Sequence, residues 1–323
     1  RAETPQEQFN LIGAGRRNLL INGAFEVFQR GVGPASPSSS NSPSTADRWN
    51  IPNTSEVSEV VANDRASHLT KMLKVTANSS GYGQVAQWIE NVRAAAGQSL
   101  TVSFWAKSPN AGPLRFHIYQ NFGSGGSSNV SIIDDSNYFT INQPNTWQRF
   151  EATVEIPSVS GKTIGASSYL AVQTGAPSSI ANRVVYYSEF QAELGKVATP
   201  FEHRSYGEEL ALCQRYYQEW NYDNARMIGN GRWENSSTTG VVIHYPTSMR
   251  TSPTWSIDAA SNGIQAVQPR INWHVVSSLN AVHKNGTTSA ELFFNMATTA
   301  ANDLPTVVAF FNSTARVMAD AEL

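Results

Sequence analysis

One segment near the middle of the chain constrains the fold most, because it carries a capped helical pattern between two long regions of strand-like alternation. Ser205 followed by Glu208 has the spacing of a capping box, in which side chains satisfy free N–H groups of the first helical turn. Apolar and aromatic residues then recur at steps of four and three, which places them on one face of a helix. These residues are Tyr206, Leu210, Cys213, Tyr217 and Trp220. We therefore predict a linking helix over residues 205–220.

The region before this helix is predicted to be an antiparallel β-sandwich. In Leu100–Lys107 every second residue is apolar and faces one side of a strand, while Thr, Ser, Trp and Lys face the other. Leu114–Gln120 repeats this alternation, and residues 18–28 indicate a first strand with a turn at Asn22-Gly23. Strands at such spacing, with no helical period between them, are typical of a sandwich or jelly roll.

Strand-like runs continue after the helix and predict a second, smaller β-sandwich. The chain of 323 residues exceeds the usual size of one domain, and its low charged content of 15% suits β-sandwiches better than helical bundles. The fold class is therefore all-β with one linking helix. The predicted order is an N-terminal connector over residues 1–17, a jelly roll over 18–204, the helix over 205–220, and a C-terminal β-domain over 221–323.

Charge and cysteine content exclude several classes of protein. The formal net charge is −2 and no basic block occurs, so we expect no nucleic-acid partner. No run of 18 apolar residues occurs, so we expect no membrane insertion. Cys213 is the single cysteine, which excludes an intrachain disulfide, and its place among the apolar helical positions indicates a buried small side chain.

No catalytic signature is found in the sequence. The six histidines are dispersed without metal-ligand spacing, and the chain lacks the common hydrolase, metalloprotease and phosphate-binding motifs. Asp134 and Asp135 are adjacent on an extended chain, so their side chains point apart and do not form a glycosidase pair. We expect no enzyme activity and no required cofactor, although carboxylates distant in sequence leave a glycan-cleaving enzyme as an alternative.

The polar faces of two predicted strands carry the residue types that bind sugars. A sugar ring stacks on an aromatic side chain, while neighbouring polar groups hydrogen-bond to its hydroxyls. The candidate glycan-binding residues are Trp105, Lys107, Arg115, His117 and Tyr119. The alternative is that these faces are covered by a sheet edge, a loop or a neighbouring subunit.

The segment "ATPFEHRSYGEELALCQRYY", residues 198–217, resembles a hinge found in bacteriophage tail-fibre and virion-surface proteins. There, a sandwich ends in a strand of this kind, followed by a helix and a small β-domain. The resemblance implies a virion location, a homotrimer, contact with other virion proteins through the N-terminal connector, and attachment to host-surface glycans. A structural capsid decoration or head fibre without a ligand is one alternative, and a glycan depolymerase or its accessory module is another.

Four short motifs in the first region resemble carbohydrate-binding jelly-roll modules. They are Asn22-Gly-Ala-Phe-Glu26, Val102-Ser-Phe-Trp-Ala-Lys107, Trp147-Gln-Arg-Phe150 and Val185-Tyr-Tyr-Ser-Glu-Phe-Gln191. Modules of this type often hold a structural Ca²⁺ between their first and last strands. The resemblance makes Glu26 and Glu189 candidate metal ligands. The usual acidic pair on the last strand is reduced here to Ser188-Glu189. The alternative is that Glu26 and Glu189 are simply exposed.

The apolar face of the predicted helix has two interpretations. Its five residues can pack on the chain's own sandwich, or they can form a short three-helix seam between subunits. Two heptads are too short to hold a trimer alone, so sheet contacts would have to contribute. We therefore name Tyr206, Leu210, Cys213, Tyr217 and Trp220 as the candidate oligomer interface.

Overall fold

The computed structural model of the chain describes residues 16–31, 33, 45–52, 54–61, 69, 71–79, 83–221, 227–259, 262–268, 272–299, 305–312 and 314–323. It divides the chain into two compact units, one ending at Glu209 and the next beginning at Leu210. The described part is almost entirely β structure with one α-helix, which confirms the predicted fold class. Only residues 16 and 17 of the predicted N-terminal connector lie within the described ranges.

The first unit is a sandwich of two antiparallel sheets. Its described strands are β1 (Thr54–Val61), β2 (Lys71–Ala77), β3 (Gln84–Glu90), β4 (Ser99–Lys107), β5 (Gly112–Asn121), β6 (Val130–Ile141), β7 (Gln148–Glu155), β8 (Tyr169–Gly175) and β9 (Val184–Leu194). One sheet has the strand order β1-β2-β9-β4-β7 and the other β3-β8-β5-β6. The predicted strands around residues 100–107 and 114–120 therefore belong to different sheets.

The core of this unit lies between the two sheets. Alternation places Val102 and Phe104 of β4, and Phe116 of β5, in one buried cluster. The ring of Phe104 stacks on that of Phe190 with centroids 4.6 Å apart and an interplanar angle of 14°. Since both sheets turn their apolar residues toward this cluster, their polar faces lie on opposite sides of the sandwich.

Residues 18–28 do not form the predicted first strand. Asn22 has a positive φ of 58°, and its side-chain oxygen accepts hydrogen bonds from the backbone N–H groups of Glu26 and Val27 at 2.8 and 3.0 Å. Its side-chain nitrogen donates to the carbonyl oxygens of Val27 and Asp47. Because one buried asparagine satisfies backbone groups that a neighbouring strand would otherwise satisfy, this segment folds as a turn and an irregular stretch.

A set of polar contacts, which we call the latch, holds the segment after β9 against the start of the described chain. The carboxylate of Glu202 accepts hydrogen bonds from the backbone N–H groups of Arg17 and Asn18, both at 2.9 Å. The carboxylate of Glu193 accepts from the N–H and the hydroxyl of Thr199 at 2.9 and 2.7 Å.

The buried guanidinium of Arg204 completes the latch. It donates to Glu202 at 3.0 Å, to Glu209 at 3.2 Å and to the carbonyl oxygen of Leu20 at 3.1 Å. Glu209 in turn accepts a hydrogen bond from the N–H of Asn22 at 2.5 Å. The polar residues of the hinge motif thus have a structural role, because they satisfy backbone groups at the point where the chain enters the sandwich.

The helix α1 (Tyr206–Gln214) is shorter than predicted. It begins as the sequence indicates, with the hydroxyl oxygen of Ser205 accepting a hydrogen bond from the N–H of Glu208 at 3.3 Å. It ends six residues early because the next segment forms strand β10 (Tyr217–Asn221) and pairs with a later strand. Within the described ranges, no helix has the length and apolar character needed to cross a bilayer.

The second unit contains the remaining described strands. They are β10 with β11 (Met227–Asn235), β12 (Thr238–His244), β13 (Thr254–Asp258), β14 (Ile264–Gln268), β15 (Asn272–His283), β16 (Ser289–Met296), β17 (Pro305–Phe310) and β18 (Arg316–Asp320). Strands β10, β18 and β13 form a three-stranded sheet in that order. The other six close into a barrel in the order β11-β12-β16-β15-β14-β17.

The second unit differs in one respect from the predicted sandwich, because six of its strands close on themselves. Barrel closure removes the exposed edges that an open sheet would leave. The core includes Trp233 and Phe294 from the barrel together with Val317 from the three-stranded sheet. Trp220, predicted to lie on the helix, lies on β10 and stacks on Trp255 with ring centroids 5.6 Å apart.

Candidate functional site

The structure separates the five predicted glycan-binding residues into two groups. Trp105 and Lys107 lie on β4 in the five-stranded sheet, whereas Arg115, His117 and Tyr119 lie on β5 in the four-stranded sheet. All five point away from the shared core, so the two groups face opposite sides of the sandwich. They therefore cannot form one site.

The outer side of the four-stranded sheet carries a continuous group of rings, which we call the aromatic face. Trp88 of β3 stacks on Tyr169 of β8 with centroids 4.5 Å apart and an interplanar angle of 17°. Tyr119 lies 6.0 Å from Tyr169 in an edge-on arrangement, and His117 lies 4.8 Å from Tyr119. These side chains are partly buried, so the rings form a surface rather than a core.

Strand register explains why these rings meet. Ala171 of β8 pairs with Trp88 on one side and with Tyr119 on the other, so a small residue stands between two large ones. Ala171 is fully buried, so the large side chains around it cover it. In the next row, Gln173 pairs with His117 and adds amide donors and acceptors beside the rings.

A charged group borders the aromatic face. The guanidinium of Arg115 donates to Asp134 at 2.7 and 3.1 Å, which holds the pKa of that carboxyl below its usual value despite some opposing burial. Burial and then the neighbouring charge of Arg115 lower the pKa of His117, and these effects outweigh Asp134 and Gln173. The imidazole of His117 is therefore neutral at pH 7 and can both donate and accept a hydrogen bond. Burial also raises the pKa of the Tyr119 hydroxyl, which stays protonated.

Sequence reasoning missed Trp88, Tyr169 and Gln173. Tyr169 and Gln173 both lie on β8, and their spacing of four places them on one face of that strand. Trp88 was harder to find because the alternation around it is broken by the buried Gln87. The side chain of Gln87 bonds to both the N–H and the carbonyl oxygen of Ile21 at 2.7 Å, so a polar residue occupies an inward position.

The outer side of the five-stranded sheet holds a cavity of about 400 Å³, which we call the Trp105 pocket. Trp105 and Arg149 stand opposite each other in register on β4 and β7, and both line it. Glu189, Phe201 and His203 line the other sides. Lys107 is directed elsewhere, with its ammonium 5.0 Å from the ring centroid of Trp147 and 5.5 Å from that of Tyr186.

The two candidate calcium ligands have different neighbours. Glu189 lies 3.9 Å from the imidazole of His203, and the backbone oxygen of Glu26 accepts a hydrogen bond from Lys71 at 3.4 Å. In the described ranges, no group of three or more His, Cys, Asp and Glu side chains is placed to hold a metal ion. A calcium site that uses Glu26 and Glu189 therefore stays a prediction.

The candidate oligomer interface is also divided. Tyr217 and Trp220 lie on strand β10, so the prediction that they belong to one helical face is wrong. Cys213 and Tyr217 are buried within the chain. Tyr206 is exposed and Leu210 is partly buried.

A different apolar surface, the Trp273 groove, lies on the outside of the barrel and has a volume of about 500 Å³. Trp273 and Phe311, which are 46% and 41% exposed, pack edge to face there with centroids 4.6 Å apart. The groove is also lined by Val267, Val307 and Ala309. Among the described residues that line it, none is charged.

The first unit is therefore a two-sheet β-sandwich of the jelly-roll type with an aromatic and polar outer face. Residues 17–179, just over half of the chain, match the model of the carbohydrate binding domain family CBM_4_9. The chain belongs to this family. The match covers all the strands that form the aromatic face, including β3, β5 and β8.

Comparison with solved structures gives matches over about half of the chain. The CBM22-1 xylan-binding domain of Xyn10C from Paenibacillus barcinonensis is 14% identical, with 50% of this chain and 92% of that chain covered and a TM-score of 0.33. A sugar binding protein from Bacteroides thetaiotaomicron, described as putative, is 12% identical, with 55% and 100% covered and a TM-score of 0.39. The enzymatically active domain of tailspike protein 4 from bacteriophage CBA120 is 14% identical, with 55% and 21% covered and a TM-score of 0.34. No match was found among curated protein sequences.

Proposed function

We propose that the first unit binds a glycan through the aromatic face. The observation that carries this proposal is the group of Trp88, Tyr169 and Tyr119, in which Tyr169 contacts both other rings on the outside of a sheet. Rings in this position do not contribute to the central core, and they offer the apolar surface on which a pyranose ring stacks. Membership of a carbohydrate-binding family supports the same conclusion.

The polar groups around these rings suit the hydroxyls of a sugar chain. Gln173 supplies an amide, His117 supplies a neutral imidazole, and Arg115 supplies a guanidinium oriented by Asp134. Because Arg115 is already paired with Asp134, the net charge of this border is close to zero and a neutral glycan fits it best. The face lies along the outer side of a sheet, and such a surface suits an extended oligosaccharide.

The chain acts, in this proposal, as part of a bacteriophage virion appendage of the tail-fibre type that attaches to host-surface glycans without cleaving them. Support comes from the hinge motif at residues 198–217, whose polar residues build the latch. The chain then functions as a homotrimer on the virion and contacts other virion proteins through its N-terminal connector. Three weak sites held together raise the overall affinity by about 10²-fold or more over one site.

The Trp273 groove supports the homotrimer as a contact surface between subunits. Large contiguous apolar patches are rare on monomeric soluble proteins, and those that occur often mark interaction sites. Its lining includes the apolar side chains of Val267, Trp273 and Phe311, which suit another apolar protein surface. In this proposal the Trp273 groove, rather than the predicted helical seam, forms the subunit contact. Three residues of that seam, Cys213, Tyr217 and Trp220, pack within the chain.

A glycan array with the purified chain tests the binding proposal. We expect binding to a restricted set of oligosaccharides, and loss of that binding when Tyr119 is replaced by Ala. Tyr206→Ala is the matched control, because Tyr206 is an exposed tyrosine outside the aromatic face. Array binding that survives Tyr119→Ala and Trp88→Ala together would show that the aromatic face is not the site.

A second assay tests the absence of catalysis. We expect no new reducing ends when the chain is incubated with a polysaccharide that it binds. Steady release of oligosaccharides, abolished by replacing a single Asp or Glu, would instead identify a depolymerase.

A further inference from the structure

The Trp105 pocket has the composition of a second saccharide site, on the opposite side of the sandwich from the aromatic face. Two apolar surfaces line it, the indole of Trp105 and the ring of Phe201. Polar groups of three kinds stand beside them: the guanidinium of Arg149, the carboxylate of Glu189 and the imidazole of His203. A volume of about 400 Å³ lies at the small end of the range for ligand sites and accommodates a single pyranose with its substituents.

A bulge in β9 places the Glu189 carboxylate at this pocket. Ser103 of β4 pairs with Gln191 and Trp105 pairs with Ser188, so β9 contains one residue more than β4 across this stretch. Of the two residues between Ser188 and Gln191, Phe190 enters the core and Glu189 lines the outer pocket. The backbone of Glu189 has a positive φ of 50°. A left-handed conformation is costly for a residue other than glycine, and such strained residues cluster at binding sites.

The Glu189 side chain is only 7% exposed, yet it lies 3.9 Å from His203, which is 70% exposed. A carboxylate in this position accepts hydrogen bonds from two neighbouring sugar hydroxyls, while the imidazole at the rim remains accessible. The buried negative charge also disfavours an acidic sugar, because like charges repel strongly where water is excluded. The chemistry therefore selects a neutral sugar.

The segment after β9 closes one side of the pocket and fixes its size. Arg149 donates to the carbonyl oxygen of Thr199 at 2.7 Å, and Thr199 is also held by Glu193 in the latch. Pro200 and Phe201 therefore form a fixed wall against the sheet. A wall of this kind stops a sugar chain from running through, whereas a terminal or branching residue can enter from the open side.

We propose that the Trp105 pocket binds one neutral pyranose, the terminal or branching residue of a glycan. In this arrangement the indole of Trp105 covers one face of the ring, Glu189 accepts hydrogen bonds from hydroxyls, and Arg149 and His203 donate to others. The site does not depend on the aromatic face. Its consequence is that one chain can hold two glycan segments on opposite sides of the first unit.

Fluorine NMR of the full chain labelled with 5-fluorotryptophan tests this proposal. The resonances of Trp105 and Trp88 are assigned from the variants Trp105→Phe and Trp88→Phe. Methyl glycosides of glucose, galactose, mannose and N-acetylglucosamine are titrated at millimolar concentrations, with sorbitol as an open-chain polyol control. We expect at least one glycoside to give a saturable shift of the Trp105 resonance, and sorbitol to give none.

Two substitutions examine the polar groups. Glu189→Gln is expected to weaken the glycoside affinity by about tenfold or more, since it removes a charged hydrogen-bond acceptor. His203→Ala, at a side chain that is 70% exposed, is expected to weaken the affinity as well. Glu155→Gln is the matched control, because Glu155 is an exposed acid on the outer face of β7 and does not line the pocket. It should leave the affinity unchanged.

The two sites are distinguished by separate resonances. A Trp105 resonance that no methyl glycoside shifts, or that sorbitol shifts equally, overturns the pocket proposal. A titration with a glycan selected by the array reports on Trp88. If Trp88 responds and Trp105 never does, the aromatic face stands alone. If Trp105 responds and Trp88 does not, the pocket stands and the proposed function of the aromatic face fails.

Discussion

The indole of Trp88 lies 4.5 Å from the ring of Tyr169, and the two planes are inclined by only 17°. The residues belong to neighbouring strands but do not stand directly opposite each other, since Trp88 pairs with Ala171 and Tyr169 pairs with Glu90. The stack therefore runs diagonally across the sheet, over the space left by a small side chain. Each ring limits the rotation of the other, which lowers the entropy lost when a sugar stacks on them.

This relationship predicts the effect of substitutions at Trp88. Trp88→Ala should weaken glycan binding by about 1–3 kcal/mol, the usual cost of removing a central aromatic anchor. Trp88→Phe should cost less, because a smaller ring can still stack on Tyr169. Isothermal titration calorimetry with a glycan selected by the array measures both effects, and circular dichroism checks the fold. Equal affinity for Trp88→Ala and the unsubstituted chain would contradict the prediction.

The pKa of His117 predicts how stability depends on pH. Burial and then Arg115 lower this pKa below 6.5, so the unfolded chain takes up the proton at a higher pH than the folded chain. The contribution of the neutral imidazole to folding is therefore present above pH 6.5 and is lost as pH falls toward the folded pKa.

We accordingly expect the free energy of unfolding contributed by this group to be constant between about pH 8 and pH 6.5 and to fall below that range. Glycan affinity should follow the same course, since a protonated His117 would stand beside the positive charge of Arg115. Urea unfolding and calorimetry at several pH values measure the two quantities. The variant His117→Gln should have a flatter pH dependence than the unsubstituted chain. If the variant and the unsubstituted chain show the same steep pH dependence, the dependence arises from a group other than His117.

The fold was predictable wherever simple alternation operates. In β4 every second residue from Leu100 to Ala106 is buried, as the pattern indicates, and the helix begins at the predicted cap. The end of the helix was not predictable, because the pairing of β10 with β18 is a contact between segments about 100 residues apart. Tyr217 and Trp220 have the spacing of a helical face, yet they satisfy their backbone groups in a sheet.

The candidate site was only partly predictable for a similar reason. Tyr119 and His117 stood out because they share the polar face of one strand. Which other strands lie beside β5 depends on the sheet order, which a single sequence does not specify, so Trp88 and Tyr169 were missed. The residue pattern also made Trp105 and Tyr119 candidates for glycan binding together, whereas the strand order places them on different sheets.

The latch predicts a measurable loss of stability when Glu202 is changed. Burial opposes its charge, but hydrogen bonds from the N–H groups of Arg17 and Asn18, together with Arg204, lower the pKa of the Glu202 carboxyl below 4.5. Glu202→Ala should reduce the free energy of unfolding by about 1–3 kcal/mol, because these donors lose their acceptor.

The pH dependence of this contribution has a definite sign. Because the folded pKa of Glu202 is lowered, its stabilising effect is present above pH 4.5 and is lost as pH falls through the folded pKa. Glu208→Gln is the control, since the side chain of Glu208 makes an exposed ion pair with Arg16 at 3.8 Å, and such pairs contribute little. Thermal unfolding compares the variants. Equal midpoints for Glu202→Ala and Glu208→Gln would show that the latch does not stabilise the unit.

The Trp273 groove predicts how the proposed trimer is disrupted. Trp273→Glu places a charge among Val307, Phe311 and other apolar residues, and burying an unpaired charge at a subunit contact is strongly unfavourable. Light scattering after size-exclusion chromatography should give a trimer for the unsubstituted chain and a smaller species for Trp273→Glu. Val242→Glu is the matched control, because Val242 is an exposed apolar residue on barrel strand β12 and does not line the groove. A trimer that persists in Trp273→Glu would move the subunit contact to another surface, and a monomeric unsubstituted chain would refute the trimer itself.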